Sequence, residues 1–264
     1  MEIAGYAASV LIGLSLGLIG GGGSILTVPI LVYFFHIGPV LATTYSLFVV
    51  GLTSSAGAIS HYRKGNVNLN IALLFGIPSL VAVFTMRKWV MPSVPQHLFT
   101  FGNFELSKGA LLMLVFALLM LAASVSMIRR KDTDKKSNDP GSISYPKLIV
   151  QSIIVGIITG FVGVGGGFLI IPSLVLFANL PMKKAVGTSL MVMTISSLLG
   201  VLGDISSHAP IHYSFMLLFS AFAIAGIILG SYLTKYTSDT KLKPAFGWFV
   251  LVMGMFVLIN TLSK

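Results

Sequence analysis

Two glycine-rich clusters are the residues of this sequence best suited to bind a small anion. The first spans residues 20–24 and reads GGGGS, and the second spans residues 163–167 and reads GVGGG. Each is followed by a proline, Pro29 or Pro172. Glycine lets an oxyanion approach backbone N–H groups closely, and a helix N-terminus adds roughly half a positive charge. The pattern therefore predicts a pair of backbone anion cradles.

Hydroxyl side chains downstream of both clusters would add hydrogen-bond donors to such a cradle. The predicted binding residues are Gly21, Gly22, Gly23, Ser24, Thr43, Thr44, Ser46, Gly165, Gly166, Gly167, Thr188 and Ser189. The alternative for the glycines is close helix packing, which we favour for Gly13 and Gly17 but not for the duplicated clusters. For the hydroxyls the alternative is a hydrogen bond within their own helix.

Three titratable residues at the edges of apolar runs are candidates for a proton or anion relay. His61 and Arg63 end one run, and Asp204 occupies the repeat position that matches His61. The alternatives are interfacial anchoring of His61 and Arg63 together with Tyr62, and a solvated loop acid for Asp204. Further titratable groups near a path are His36 and His208.

The elements that position these residues are membrane-spanning helices. Hydrophobic residues make up 55% of the 264 and charged residues 9%, and the mean hydropathy is +0.95, which a water-soluble surface does not accommodate. Crossing the hydrocarbon takes roughly 20 apolar residues as a helix. Uncharged runs of about that length or more, containing no Lys or Arg, occupy residues 3–35, 38–60, 67–86, 109–128, 148–180, 185–203, 211–234 and 244–263. The fold class is therefore an all-α polytopic membrane protein.

The chain contains an internal repeat. An offset of 143 residues aligns 13–47 with 156–190 without a gap and gives 13 identities in 35 positions. The identities include glycines and a proline, which fix backbone shape rather than merely supplying hydrophobicity. We expect membrane repeats over 1–128 and 147–264, joined by a basic cytoplasmic linker over 129–146.

The first run of each repeat is too long to cross once. Runs 3–35 and 148–180 would each reach about 50 Å as continuous helix, and each contains a glycine cluster and a proline. If both runs turn back on themselves, 13 of the 17 basic residues share one face, whereas single crossings divide them 9 to 8. Because cytoplasmic loops collect Lys and Arg, we expect the returning arrangement. Each repeat is then a glycine-broken segment followed by three transmembrane helices, and the repeats are inverted, with substrate near the midplane.

The doubled motif resembles the TauE/SafE sulfite exporter family, also called the 4-toluene sulfonate uptake permease family. The resemblance rests on residues 17–29 (GLIGGGGSILTVP), 160–172 (GFVGVGGGFLIIP), 185–190 (AVGTSL) and 61–67 (HYRKGNV). It covers essentially the whole chain and implies a multi-pass transporter of sulfite, sulfonates or similar sulfur-containing anions in the cytoplasmic membrane. Residues 42–47 read ATTYSL where the second repeat keeps the family's Gly-Thr-Ser pattern.

The leading functional hypothesis is a secondary transporter that works by alternating access, and the alternative is an anion channel that uses the same backbone. An enzyme is not expected, because the runs contain no paired carboxylates and no metal-binding motif. The expected partners are a small anionic substrate and membrane lipids, with homo-oligomerisation left open. No nucleic acid, cofactor or metal is expected, since the net charge of +10 is accounted for by topology signals.

Overall fold

A computed structural model of the chain describes residues 2–101, 104–129, 145–205, 212–233 and 239–263. The first repeat contains α1 (Glu2–Ile19), a 3-10 helix (Gly21–Leu26), α2 (Thr27–Tyr33), α3 (Pro39–Arg63), α4 (Leu69–Thr85), a π-helical turn (Met86–Val90), α5 (Met91–Ser93), β1 (His97–Phe101), β2 (Phe104–Ser107) and α6 (Lys108–Arg129). The second contains α7 (Tyr145–Val162), α8 (Gly167–Phe177), α9 (Met182–Ile205), α10 (Tyr213–Leu233) and α11 (Asp239–Leu262).

The predicted all-α polytopic membrane fold is confirmed. Six helical stretches in the described residues are long and apolar enough to cross a membrane: Pro39–Arg63, Leu69–Ser93, Lys108–Val125, Tyr145–Val162, Met182–Asp204 and Tyr213–Leu233. The surface carries large apolar side chains, including Leu11, Ile228 and Ile259, which are more than half exposed. α3 and α9 are the most buried of the six and form the centre of the protein.

The two halves share backbone details at the predicted offset of 143 residues. Gly20 and Gly163 both have a left-handed backbone, with φ of 77° and 75°. His36 and Asn179, which follow α2 and α8, are also left-handed, with φ of 53° and 50°. A positive φ is uncommon outside glycine, so its recurrence at matching non-glycine positions indicates that both repeats build the same turn.

At both glycine clusters the chain turns back along the helix that it has just left. Gly23 lies against Ile12 and Leu16 of α1. In the second repeat Gly166 lies against Val155 and Thr159 of α7. In the first repeat the returning chain ends where it began, because the rings of Phe35 and Tyr6 are 5.7 Å apart. The long first runs are therefore broken hairpins.

The central helices α3 and α9 are antiparallel. Thr44, near the start of α3, bonds Asp204 near the end of α9. Gly57, near the end of α3, lies against Leu190 near the start of α9. Because these helices occupy equivalent places in the two repeats, antiparallel packing supports the predicted inversion, which stays a prediction.

Two ends of the molecule are named for the description that follows. The Arg87 end is where α3 begins and where α4 and α9 end. The His61 end is where α3 ends and α9 begins. The boundaries predicted at 129–146 stay a prediction, since residues 130–144 of the linker lie outside the described residues.

The connection between α4 and α6 holds a feature that the sequence analysis did not anticipate. The apolar run that ends at residue 86 continues as helix to Ser93, and β1 and β2 then form an antiparallel hairpin. Lys108 anchors the hairpin's exit because its ammonium group, which is buried, donates to the carbonyl of Met91.

The helices of the two repeats interlock through glycine faces, which gives a first prediction. A methyl group on Gly226 of α10 would collide with the carbonyl of Val10 and approach the amide of Leu14, both on α1. Gly226→Ala should therefore lower the free energy of unfolding by about 1–3 kcal/mol through overpacking. Gly38→Ala is the matched control, since a methyl group there meets nothing within 4 Å. Unfolding in a detergent titration measures both, and equal stability of the two variants would contradict the interlocking.

Candidate functional site

The two broken segments meet in the interior. The 3-10 helix of the first repeat contacts α8 of the second. A methyl group on Gly20 would lie 2.8 Å from Val186 at the start of α9 and 3.0 Å from Ile171 of α8. Irregular backbone at membrane depth is tolerated only where protein or a water-filled cavity covers it. The contact between the breaks supplies that cover.

The second break presents a buried helix N-terminus. Gly163, Gly165 and Gly166 have φ of 75°, 71° and 72°, and Gly166 is the N-terminal cap of α8. All residues from 163 to 167 are buried. The first N–H groups of a helix have no acceptor within the helix and carry partial positive charge. The structure therefore brings the predicted Gly165, Gly166 and Gly167 to a buried, electropositive position.

The first break has a different backbone. Gly21, Gly22, Gly23 and Ser24 form most of the 3-10 helix, which is capped by Gly20 with φ of 77° and ψ of −132°. Ser24 is fully buried. The same duplicated motif is thus held in two conformations, with an α-helical start in one repeat and a 3-10 turn in the other.

Two serines in the middle of the central helices lack hydrogen-bond partners. Thr53 of α3 donates to the carbonyl of Val49, whereas the neighbouring Ser54 has no partner within the described residues. The pattern recurs 143 residues later, where Ser196 donates to the carbonyl of Val192 and Ser197 has no partner.

Both unpartnered hydroxyl oxygens are buried. Ser197 adjoins the second break, since a methyl group on Gly165 would lie 3.3 Å from its oxygen. Buried hydroxyls normally find a partner, so this repeated omission marks Ser54 and Ser197 as donors held for something else. Thr159, against Gly166, is a third buried hydroxyl without a partner.

The predicted hydroxyls of the first repeat lie at and near the Arg87 end. Thr43 donates to the carbonyl of Val40 over 2.7 Å, and Thr44 donates to Asp204 over 2.7 Å. Ser46 is buried without a partner in the described part of the chain.

Those of the second repeat lie at the His61 end. Thr188 accepts from the amide of Asn68, and Ser189 donates to the carbonyl of Val186. The five predicted hydroxyl residues are therefore divided between two ends rather than gathered in one site.

The sequence analysis missed a buried arginine. Arg87 is 1% exposed and lies in the π-helical turn that follows α4. Its Nη1 donates to Thr43 Oγ1 over 2.9 Å and to Asp204 Oδ2 over 3.0 Å. Its Nε and Nη2 have no partner in the described residues, and Nη2 lies against Gly163 of the second break.

The surroundings of Asp204 correct the alternative that made it a solvated loop acid. Asp204 is 8% exposed, forms a buried ion pair with Arg87 and accepts from Thr44. The side chains of this network come from α3, from the end of α4 and from the end of α9. Two of these elements belong to the first repeat and one to the second.

The other proposed relay residues lie at the opposite end. His61 and Arg63 end α3, about 25 Å from Thr44 along that helix at 1.5 Å per residue. His61 packs on Gly187, and its Nδ1 is buried without a partner in the described chain. His36 is exposed after α2, and His208 lies outside the described residues. His61 and Arg63 therefore do not share a site with Asp204.

A half-open cavity of about 220 Å³ lies at the His61 end, between α3 and α10. Its polar lining comes from Ser60, Lys64, Ser231 and Tyr232, and Gly57 forms part of its apolar wall. The two ends of the protein therefore differ, since one is closed by a buried ion pair and the other opens into a cavity with a basic side chain.

Comparisons with known proteins agree on one family. The sequence model described as sulfite exporter TauE/SafE matches residues 6–257. A "Probable membrane transporter protein" of Xylella fastidiosa (strain Temecula1) is 30% identical over 253 residues, which cover 94% of this chain and 91% of that protein. YdhB of Bacillus subtilis is 27% identical over 250 residues (94% and 96%), and MJ0441 of Methanocaldococcus jannaschii is 27% identical over 268 (95% and 94%). Both are also named probable membrane transporter proteins, and no solved structure gives a significant match.

The buried ion pair gives a prediction about stability. Arg87→Gln alone or Asp204→Asn alone should lower the free energy of unfolding by about 3–5 kcal/mol, because each leaves one charge buried without its partner. The double variant should lose far less than the sum of the two. Lys88→Gln is the charge-matched control, since this exposed residue contacts only the rings of Phe84 and Trp89, worth about 1 kcal/mol or less. Unfolding titrations of the four variants measure this, and additive losses would refute the coupling.

Proposed function

Because this chain belongs to the sulfite exporter TauE/SafE family, we propose that it is a secondary transporter that moves small sulfur-containing anions across the cytoplasmic membrane by alternating access. It is a multi-pass membrane protein, and the family is one of membrane transporters, which favours transport over catalysis. The substrate is held near the midplane, where the two breaks meet. Sulfite and sulfonates are the proposed substrates on the strength of the family's name.

The observation that carries the proposal is the buried N-terminus of α8 beside unpartnered hydroxyls. Partial positive charge and exposed N–H groups at a helix start stabilise an anion without a mobile counter-ion. Gly165 and Gly166 supply close backbone approach there, and Ser197 and Thr159 supply hydroxyl donors. Discontinuous helices whose N-termini face an anionic group are a recurring plan of secondary transporters.

The difference between the repeats supports alternating access. In a transporter built from inverted repeats, exchanging the conformations of the two repeats converts an inward-open state into an outward-open one. Here the breaks differ in backbone, and the ends differ in closure. We assign the structure to a state that is closed at the Arg87 end and faces the His61 end. The positive-inside rule makes the His61 end cytoplasmic.

An anion channel is the second candidate, because it would use the same backbone site. The buried ion pair favours a carrier, since a channel needs a continuous path in its conducting state, whereas a carrier closes one end at a time. His61 and Arg63 would then collect anions at the cytoplasmic mouth, and Asp204 would act within the closed end.

Flux through the purified protein tests the transport proposal. In proteoliposomes, radiolabelled sulfite or methanesulfonate should enter saturably and exchange with unlabelled anion, without the conductance of a channel. Ser54→Ala and Ser197→Ala should each raise KM by about three- to tenfold, the effect of losing one hydrogen bond to an anion. Ser196→Ala is the control, since its hydroxyl already bonds Val192. Absence of flux for every sulfur anion, in vesicles where a control transporter is active, would reject the substrate class.

Orientation can be tested with single cysteines, because the chain contains none. Lys64→Cys and Lys88→Cys replace exposed residues at opposite ends of the protein. In intact cells a membrane-impermeant maleimide should label the cysteine at position 88 and leave the one at position 64 unlabelled until the membrane is permeabilised. The reverse pattern would invert the assignment, and labelling of both in intact cells would refute the predicted topology.

A further inference from the structure

We propose that Arg87 forms an oxyanion-binding site at the second break, in which the Nε–Nη2 edge of its guanidinium group binds the transported anion. This inference deepens the proposed function and rests on it for the identity of the substrate. The anion site itself is argued from the side chain's surroundings. Asp204 takes the place of a counter-ion in the closed state.

A guanidinium group offers more donors than this structure uses. Arginine carries five N–H donors in a planar fork, which binds an oxyanion through two parallel hydrogen bonds. Asp204 and Thr43 both accept from Nη1, so the ion pair is made through a single nitrogen. The edge formed by Nε and Nη2 has no partner in the described residues. One two-pronged edge is therefore left for an acceptor that the chain does not supply.

Burial makes this vacancy costly for a purely structural arginine. At 1% exposure the unused N–H groups have lost their water, and each unsatisfied buried donor costs about 1–3 kcal/mol. A structural ion pair of this depth is stabilising only when its remaining protons are also satisfied. The arrangement is accounted for if the edge is satisfied in another state of the protein.

The position of the edge places it at the helix break. Nη2 faces Gly163, where a methyl group would lie 2.5 Å from it, and three residues later Gly166 caps the N-terminus of α8. Two positive poles thus lie close together, the guanidinium and the helix start, and both are complementary to an anion. The π-helical turn that carries Arg87 is a form common at functional sites.

The anion reaches the edge when the second break moves away from the end of α4. In the present structure the backbone at Gly163 covers Nη2. Separating α7 and α8 from α4 would uncover it, and this is the motion that opening the Arg87 end requires. An oxyanion bound there would compete with Asp204 for the charge of Arg87, so the site is strengthened when the carboxylate is removed.

Binding measurements on the full-length protein in detergent test the inference in the Asp204→Asn background, where Arg87 lacks its counter-ion. Sulfite and methanesulfonate are the probes, with chloride at equal ionic strength as the reference ion. Both oxyanions should raise the Tm of Asp204→Asn more than that of the wild type. The double variant Arg87→Gln/Asp204→Asn should bind them at least about tenfold more weakly than Asp204→Asn, as expected for one charge-assisted hydrogen bond.

Two further variants separate a shaped site from general charge. Arg87→Lys in the Asp204→Asn background keeps the charge but lacks the fork, and should also bind about tenfold more weakly than Asp204→Asn. Lys88→Gln in that background removes an exposed charge next to the site in sequence and should change affinity less than twofold. Equal affinity of Asp204→Asn and the double variant, or a loss with Lys88→Gln as large as with Arg87→Gln, would overturn the inference.

The failures of the two proposals are distinguishable. Saturable sulfite flux in the wild type, together with binding that does not depend on Arg87, leaves the transporter assignment intact and rejects the anion site. Arg87-dependent binding of sulfate or phosphate, without binding or flux of any sulfite or sulfonate, supports the anion site and rejects the proposed substrate class.

Discussion

Backbone polar groups in a membrane interior must find hydrogen-bond partners inside the protein, and the rest of this structure follows from how that requirement is met at the two glycine clusters. Each cluster interrupts a helix and turns the chain back. The unsatisfied N–H groups that result are tolerated because both breaks are buried against each other and against the central helices α3 and α9. The same groups that threaten stability are the ones that attract an anion, so the position of the candidate site and the architecture around it have one cause.

The buried ion pair adds a second layer to this arrangement. Arg87 and Asp204 are 117 positions apart in sequence and belong to different repeats, yet they meet within hydrogen-bond distance beside the second break. The first repeat has His61 at the position that matches Asp204, and that residue lies at the opposite end of α3. The backbone repeats, but the charges do not. An asymmetric charge pattern on a symmetric scaffold gives the two ends different stabilities when closed.

Much of the architecture could be predicted from the sequence, because Gly and Pro at a fixed offset determine backbone shape locally. The broken hairpins at residues 20–24 and 163–167 are such features, as is the polytopic fold. The burial of Arg87 could not be predicted in the same way. It stands next to Lys88 at the end of an apolar run, where hydropathy indicates a loop, and its partner is specified only by tertiary packing. The division of Thr43 and Thr188 between two ends has the same origin, since it depends on the antiparallel crossing of α3 and α9. A useful signal was present in the recurrence of Thr53-Ser54 as Thr-like Ser196-Ser197 at the repeat offset, which extends the alignment beyond Leu47.

The interlocking of α1 with α10 has a consequence for how the protein is made. The glycine face of α1 packs on a helix that begins at Tyr213, so its partner leaves the ribosome about 200 residues later. At about 5–20 residues per second this interval lasts roughly 10–40 s. During that time the face of α1 that contains Gly13 and Gly17 is covered by lipid or by the insertion machinery rather than by its native neighbour. Assembly in the membrane is therefore completed after synthesis of most of the chain, and the last helices determine when the first one is locked in place.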